Sequence, residues 1–355
     1  MSQLSTPALS QSAWEKATPA EAGFQTDVAE RLDAAMKAGS LKNLHAVVIT
    51  RNGKLVVERY YDGIDERWGQ SLGYLLFDAE TKHDLRSVSK SIVGLLYGIA
   101  LDAGQAPALD APILDSFPEY KDLAANPARL RMTVADALTM RLGTEWNEEL
   151  PYDNPQNSEI AMELAPDRYR FILERPFVIE PGRQWDYNGG ATALLAALIE
   201  RGSGQSVFDF AREKLFTPLG IDDVEWIKGN DGAFAAASGL RMRPRDVAKV
   251  GQVVLDRGQW EGKVLISEDW LKAAFTPRAA VDDGLEYGYQ WWLGKLRESG
   301  KPWMAAFGNG GQRLILIPSL DLAVVITAGN YNQPDAWKLP VQIMAEYILP
   351  ALTER

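Results

Sequence analysis

Ser87 and Lys90 stand three positions apart in Ser87-Val88-Ser89-Lys90, at the start of a helical pattern, in a chain with no cysteine and two histidines. On a helix such positions share a face, so hydroxyl and amine can touch. A chain without thiols and nearly without imidazoles needs another base to activate a serine. A lysine one turn away serves if its ammonium is desolvated or set beside cations, so that its pKa falls. A serine at the helix start also gains from the positive end of the macrodipole, which favours an alkoxide. The two positions alone read better as a capping serine and a solvated lysine, with Ser89 and Ser91 as neighbouring hydroxyls.

Two further segments bear on the same chemistry. Pro181 to Gly190 places Tyr187-Asn188-Gly189 directly before an apolar helical pattern. A phenol near Lys90 and Ser87 could move protons if nearby cations lower its pKa; otherwise it is a half-buried aromatic with a satisfied hydroxyl. Gly308-Asn309-Gly310-Gly311-Gln312 precedes a strand pattern. Glycines there permit close approach of a backbone edge to a ligand, and an edge N–H with the Ser87 N–H would make a two-donor oxyanion hole. The plain alternative is a β-turn.

The elements that must position these groups are partly readable. Asp27–Ala38 is an amphipathic helix. His45–Thr50 and Leu55–Tyr61 form a hairpin about Asn52-Gly53, a type I′ signal. Val88, Ile92, Leu95, Leu96, Ile99 and Ala103 keep helical spacing up to Gly104, which puts Ser87 at a helix N-terminus. Thr133–Met140, Asp167–Glu174, Gly190–Arg201 (ended by Gly202), Arg245–Arg257, Ser267–Phe275 and Pro340–Leu349 are further helices. Residues 142–164, rich in Pro, Asn and acids, read as a long surface loop. Strands return at Leu314–Ile317 and Leu322–Thr327 around a Pro318–Asp321 turn. The expectation is an α+β fold: an antiparallel sheet formed from both chain ends and flanked by helices, with a mostly helical lobe inserted in the middle. The divisions are an arm over 1–24, an α/β domain from 25–104 and 226–355, and a helical lobe over 105–225.

The chain has 355 residues, 46% hydrophobic and 24% charged, with a formal net charge of −11. That supports a sizeable core and argues against nucleic acid or an anionic membrane as partner. No transmembrane stretch and no signal-like leader stand out, so the cytoplasm is the expected compartment, or the periplasm had a leader been removed. The two separated histidines and scattered acids predict no metal site, and no cofactor is expected. Gly69-Gln70-Ser71-Leu72-Gly73 matches a nucleophile elbow, but Tyr74–Phe77 reads as continued strand, and the only later histidine is His83.

The ordered set Ser87-Val88-Ser89-Lys90-Ser91, Tyr187-Asn188-Gly189 and Asn309-Gly310-Gly311-Gln312 resembles the serine β-lactamase-like superfamily. The nearest branch is that of class C-related esterases, DD-peptidase-like proteins and 6-aminohexanoate-dimer hydrolases. Ser238–Asp246 and Tyr287–Trp292 add to the likeness, which runs from about residue 20 to the end. The resemblance implies Ser87 as acylated nucleophile, Lys90 as the lysine sharing its proton, and Tyr187, with Asn188 beside it, as the tyrosine of Y-x-N. It implies Asn309, Gly310 and Gly311 as the strand triplet and Gln312 as second oxyanion donor. Two departures stand out: Gly189 replaces the Asn of Y-x-N, and Asn309 replaces the usual Lys or His. In the family a β-lactam carboxylate meets a cation and a hydroxyl from that triplet, and both are missing here. The expected activity is therefore acyl-enzyme hydrolysis of a small ester or amide. The alternatives are a β-lactamase or D-amino-acid peptidase, and a non-turnover binder of β-lactams or peptides. Oligomeric state is not readable.

Overall fold

A computed structural model describes residues 14–282 and 284–353. Residues 1–13 of the expected arm lie outside the described residues. The rest of it is held to the body rather than loose: Ala17 donates to the Leu55 carbonyl at 3.0 Å, and Phe24 is buried and bridges Leu352.

The main sheet has eight antiparallel strands. From one edge they run Ala279–Ala280, Glu286–Tyr287, Trp292–Lys295, Pro302–Gly308, Gln312–Ile317, Leu322–Ala328, Leu44–Arg51 and Lys54–Tyr60. Both chain ends thus contribute, as expected. The Asn52-Gly53 turn carries φ of 52° and 73°, the paired left-handed geometry that a two-residue hairpin of this twist requires. Leu44–Arg51 and Leu322–Ala328 read as near-continuous apolar runs because both faces of the sheet are covered. Val47, Ile49, Val324 and Ile326 pack under the Val28–Lys37 helix and the C-terminal helical segment, while Val48, Ala323 and Val325 join the other core.

That other core holds the long helices. Val88–Asp102 is buried almost throughout and lies between the sheet and Gly189–Ser203, while Pro244–Leu255 covers the sheet beside it. From Asp102 to Glu225 the regular elements are all helical, apart from isolated bridges. No helix among the described residues is long and apolar enough to cross a membrane.

Several expectations change. Gly202 does not stop its helix, which runs on to Gly204 in the left-handed region at φ 72°. A side chain at Gly202 would run into the Gln105 carbonyl, so that glycine serves close packing. The strands from Ala279 to Gly308 went unread because they are short and carry Trp, Gly and Pro instead of β-branched runs. Residues 142–164 are not a surface loop. They include the helix Ser158–Leu164 and bury Thr144, Trp146, Asn157, Ser158, Glu159, Met162 and Glu163.

A small sheet of His83–Asp84, Leu240–Met242 and Glu225–Trp226 sets the entry to the central helix. Leu85 donates to the Leu240 carbonyl at 3.0 Å, and Leu240 donates back to Ser89 Oγ at 3.2 Å. Farther along, Gly98 meets the Trp270 indole, whose Nε1 donates to the Gly94 carbonyl at 3.1 Å. A Cβ at position 98 would overlap that ring. Gly98→Ala should therefore cost about 1–3 kcal/mol through overpacking. The expected readout is a lower urea midpoint at unchanged m-value; an unaltered midpoint would show that the indole yields without cost.

Candidate active site

Ser87 is the N-cap residue of Val88–Asp102, yet its side chain makes no capping bond. Its hydroxyl instead accepts from Lys90 Nζ at 3.0 Å. The neighbouring hydroxyls are spent on backbone carbonyls: Ser89 Oγ donates to Arg86 O at 2.7 Å, and Ser91 Oγ to Gln290 O at 2.6 Å. Arg86, directly before the nucleophile position, is held in the left-handed region at φ 49°. Its guanidinium lies 4.7 Å from the Tyr331 ring centre and pairs with Glu66 and Asp84, and these contacts offset the strained backbone.

Lys90 is 1% exposed. Its ammonium donates to Glu159 Oε2 at 2.8 Å and to the Ala237 carbonyl at 3.3 Å, with Glu148 Oε2 at 3.8 Å. Tyr187 presents its ring 4.8 Å from Nζ. Burial by itself would pull the lysine pKa down; Glu159, then Tyr187 and Glu148, reverse that and hold it above its ordinary value. The condition set for Lys90 to act as a base, a pKa lowered by desolvation or cations, is not met. Lys90 rests as an ammonium because carboxylates surround it.

Those carboxylates are residues of the candidate site that sequence reading missed. Glu148 accepts from Trp146 Nε1 at 2.6 Å, from Tyr152 OH at 2.9 Å and from the Gly189 amide. Burial raises its carboxyl to about 7 against the pull of Lys90. Glu159 sits at the start of its helix under the Asn157 cap; burial pushes its pKa up, but Lys90 wins and holds it below the ordinary value. The readable signal was Gly189. A Cβ there would overlap Glu159 Oε2 and lie 2.9 Å from Glu148 Oε1. The side chain missing from Tyr187-Asn188-Gly189 makes room for two carboxylates delivered from residues 142–164.

Tyr187 is brought to the site with its hydroxyl interacting with Ser87. Burial raises its pKa and Lys90 works against that, with a net rise. Asn188 is not brought to Ser87: its Oδ1 caps Gly189–Ser203 by accepting from the Ala191 amide at 3.0 Å. Beside Tyr187 runs an aromatic wall, with ring centres 5.7 Å apart for Tyr187–Trp292, 5.6 Å for Trp185–Trp292 and 5.0 Å for Trp292–Phe307.

On the other side a small enclosed cavity is lined by Trp68, Arg86, Ser87, Tyr152, Glu159, Ile160, Ser238 and Asn309. Asn309 thus shares this cavity with Ser87, at the end of Pro302–Gly308. Its side chain is tied to Asn332 by two 2.8 Å bonds, Asn309 Nδ2 to Asn332 Oδ1 and the Asn332 amide to Asn309 Oδ1. Gly308 packs its Cα against the Leu85 carbonyl, which brings this strand end alongside the segment entering Ser87. Gly310 and Gly311 form the turn, at φ 89° and 98°. Gln312 pairs with Gly308 and points away, its Nε2 donating to Ala328 O at 2.6 Å and its Oε1 accepting from the Ala328 amide at 3.0 Å. It does not line the cavity.

Ser71 lies in the exposed hairpin Gly63–Arg67/Gln70–Leu75 with no helix after it, so no nucleophile elbow forms. The two histidines, read as separated, are in contact: His45 Nδ1 lies 2.9 Å from His83 Nε2, and both are fully buried.

The chain belongs to the Beta-lactamase family, whose sequence model matches residues 29–343. It is 25% identical over 342 residues to the 6-aminohexanoate-dimer hydrolase of Paenarthrobacter ureafaciens, covering 90% of this chain and 81% of that one. It is 28% identical over 220 residues to Esterase EstB of Burkholderia gladioli, covering 59% of this chain and 54% of that protein. Among solved structures, a class C beta-lactamase superposes with a TM-score of 0.69 at 16% identity, covering 91% of this chain and 97% of that one. The protein is a serine hydrolase of β-lactamase/transpeptidase fold.

The two carboxylates and Gly189 form one fitted unit, which a substitution can test. Gly189→Ala should displace Glu159 from Lys90 and lower ester hydrolysis on the order of a hundredfold, the effect of a roughly 1 Å misplacement. A retained rate on p-nitrophenyl acetate, with intact folding by circular dichroism, would show that the carboxylates shift without consequence.

Proposed function

We propose that the protein hydrolyses small esters or linear amides through an acyl-enzyme on Ser87. The observation that carries this reading is the 3.0 Å bond between Lys90 Nζ and the uncapped Ser87 hydroxyl, inside a buried cluster with Tyr187. Ser87 attacks the carbonyl. Lys90 acts as the ammonium that stabilises the forming alkoxide and any charge developing on Tyr187. The serine proton passes into the Tyr187–Lys90 pair and from there to Glu148, a carboxylate poised near neutrality. The Ser87 amide and the Asn309 amide, at the cavity wall, are assigned as oxyanion donors. The leaving group recovers a proton from the same pair, and water activated by it clears the acyl-enzyme.

The substrate reading rests on what surrounds this centre. Asn309 offers no cation, and the ammonium of Lys90 is already matched by Glu159 and Glu148. Arg86, the guanidinium that lines the cavity, is paired with Glu66 and Asp84, so a β-lactam carboxylate finds no unmatched cation in it, whereas an apolar acyl chain fits the wall of Trp185, Tyr187 and Trp292. The names of the relatives, a linear-amide hydrolase and an esterase, agree with this class.

Intact-protein mass spectrometry after exposure to an activated ester should show an acyl adduct that decays with turnover and is absent from Ser87→Ala. An adduct persisting in that variant would move the nucleophile elsewhere. One equivalent that never clears would make the protein a single-turnover binder.

The pH profile tests the proton sink. Below about 7, Glu148 holds its proton and cannot take another, so kcat/KM should fall as pH drops through that value. Glu148→Gln should lower the plateau on the order of a hundredfold and erase this limb. A limb at unchanged pH in the variant would place the sink on another group.

A further inference from the structure

Among the described residues, the hydrolytic machinery leaves a buried cluster of ligating side chains unused. His45 comes from Leu44–Arg51, Asp65 from the Gly63–Arg67 strand and His83 from His83–Asp84. All three are buried to within 2% exposure. His45 Nδ1 is 2.9 Å from His83 Nε2, which lies 3.5 Å from Asp65 Oδ1. One donor atom from each residue falls within 4.8 Å of the others. The Tyr331 hydroxyl donates to the same Asp65 oxygen at 2.9 Å.

Proton accounting shows what the cluster lacks. His83 Nδ1 lies 2.9 Å from the Asp84 carbonyl, which can only accept, so Nδ1 carries a proton, and in the neutral ring Nε2 presents a lone pair. His45 Nδ1–H meets that lone pair, while the Asp65 carboxylate also faces it. Asp65 Oδ2 has no partner, and neither does His45 Nε2. A buried carboxylate beside an imidazole lone pair needs positive charge. The nearby guanidiniums are directed elsewhere: Arg86 to Glu66 and Asp84, Arg241 to Asp84 and Glu225.

We propose that His45 Nδ1, His83 Nε2 and Asp65 form a site for a divalent transition metal, zinc above all, with the Tyr331 oxygen or a water completing four ligands. Two imidazoles and a carboxylate are a zinc donor set. On binding, the His45 proton moves from Nδ1 to the unpartnered Nε2, with no net proton released, and His45 Nδ1 and His83 Nε2 both turn their lone pairs on the ion. Their separation opens from 2.9 Å to about 3.3 Å, the tetrahedral edge for zinc–nitrogen bonds. The ion would tie the exposed 63–75 hairpin to the segment leading into Ser87, a structural role distinct from the chemistry. Because the site is sealed, it loads as the chain folds.

The test is metal content of the full chain, expressed or refolded with zinc and passed over a chelating column. Wild type and Ser87→Ala should each retain ~1 equivalent by mass spectrometry of the element, while His45→Ala and Asp65→Asn should retain less than about 0.1. Wild type refolded with Co2+ should show the visible bands of a four-coordinate N/O site. If the ligand variants fail to fold, this spectrum decides alone. Wild type that holds no zinc and shows no cobalt band would overturn the proposal, as would equal retention by both ligand variants.

Discussion

A buried ammonium governs this structure. Lys90 sits on a helix enclosed on all sides, where an unpaired charge would be severely destabilising. Its proton is kept by Glu159 at 2.8 Å, with Glu148 at 3.8 Å. Much else follows from that requirement. Residues 142–164 must fold inward to deliver the two acids. The Asn157 cap and the Trp146 and Tyr152 bonds must aim them. Position 189 must lack a side chain, since any Cβ would occupy the same space.

The same electrostatics changes how the Ser–Lys pair is understood. A lysine lacking nearby acids would be neutralised by burial and could take the serine proton directly. Here the acids restore the charge, so the lysine stabilises negative charge, and the capacity to accept a proton shifts to its neighbours. Glu148 is suited to that by its position: three donors and an ammonium oppose a burial cost large enough to hold its carboxyl near 7. In the proposed mechanism base strength belongs to the cluster rather than to one residue.

The scaffold places this cluster between two rigid bodies. The sheet brings the Gly308–Asn309 corner to one side of Ser87, and the short sheet around Leu240 fixes the other through Leu85 and Ser89. Gln290, in the left-handed region at φ 64°, links Ala137, Thr192 and Ser91 and so joins three helices behind the site. The arrangement leaves the Ser87 hydroxyl as the one serine oxygen of Ser87–Ser91 not bound to a backbone group. The His45–Asp65–His83 cluster lies just upstream of the same segment. Its proposed ion would stiffen the approach to Arg86, whose backbone is already strained.

Local pattern determined what neighbours in sequence can decide. The Ser87–Lys90 spacing, the helix from Val88 to its stop at Gly104, the Asn52-Gly53 hairpin and the two-ended sheet were all legible, because each depends on periodicity or on turn chemistry within a few residues. Tertiary structure decided whatever depends on charges and backbones meeting across the fold. Acids in a Pro- and Asn-rich stretch look solvated until Lys90 is seen to be buried against them. Two histidines thirty-eight positions apart look unrelated until adjacent strands set their nitrogens 2.9 Å apart. A glycine-rich turn shows that a strand end approaches something, but not which of its amides faces the serine. Partners of buried charge are chosen by proximity in space, and proximity between distant segments has no signature in a single chain.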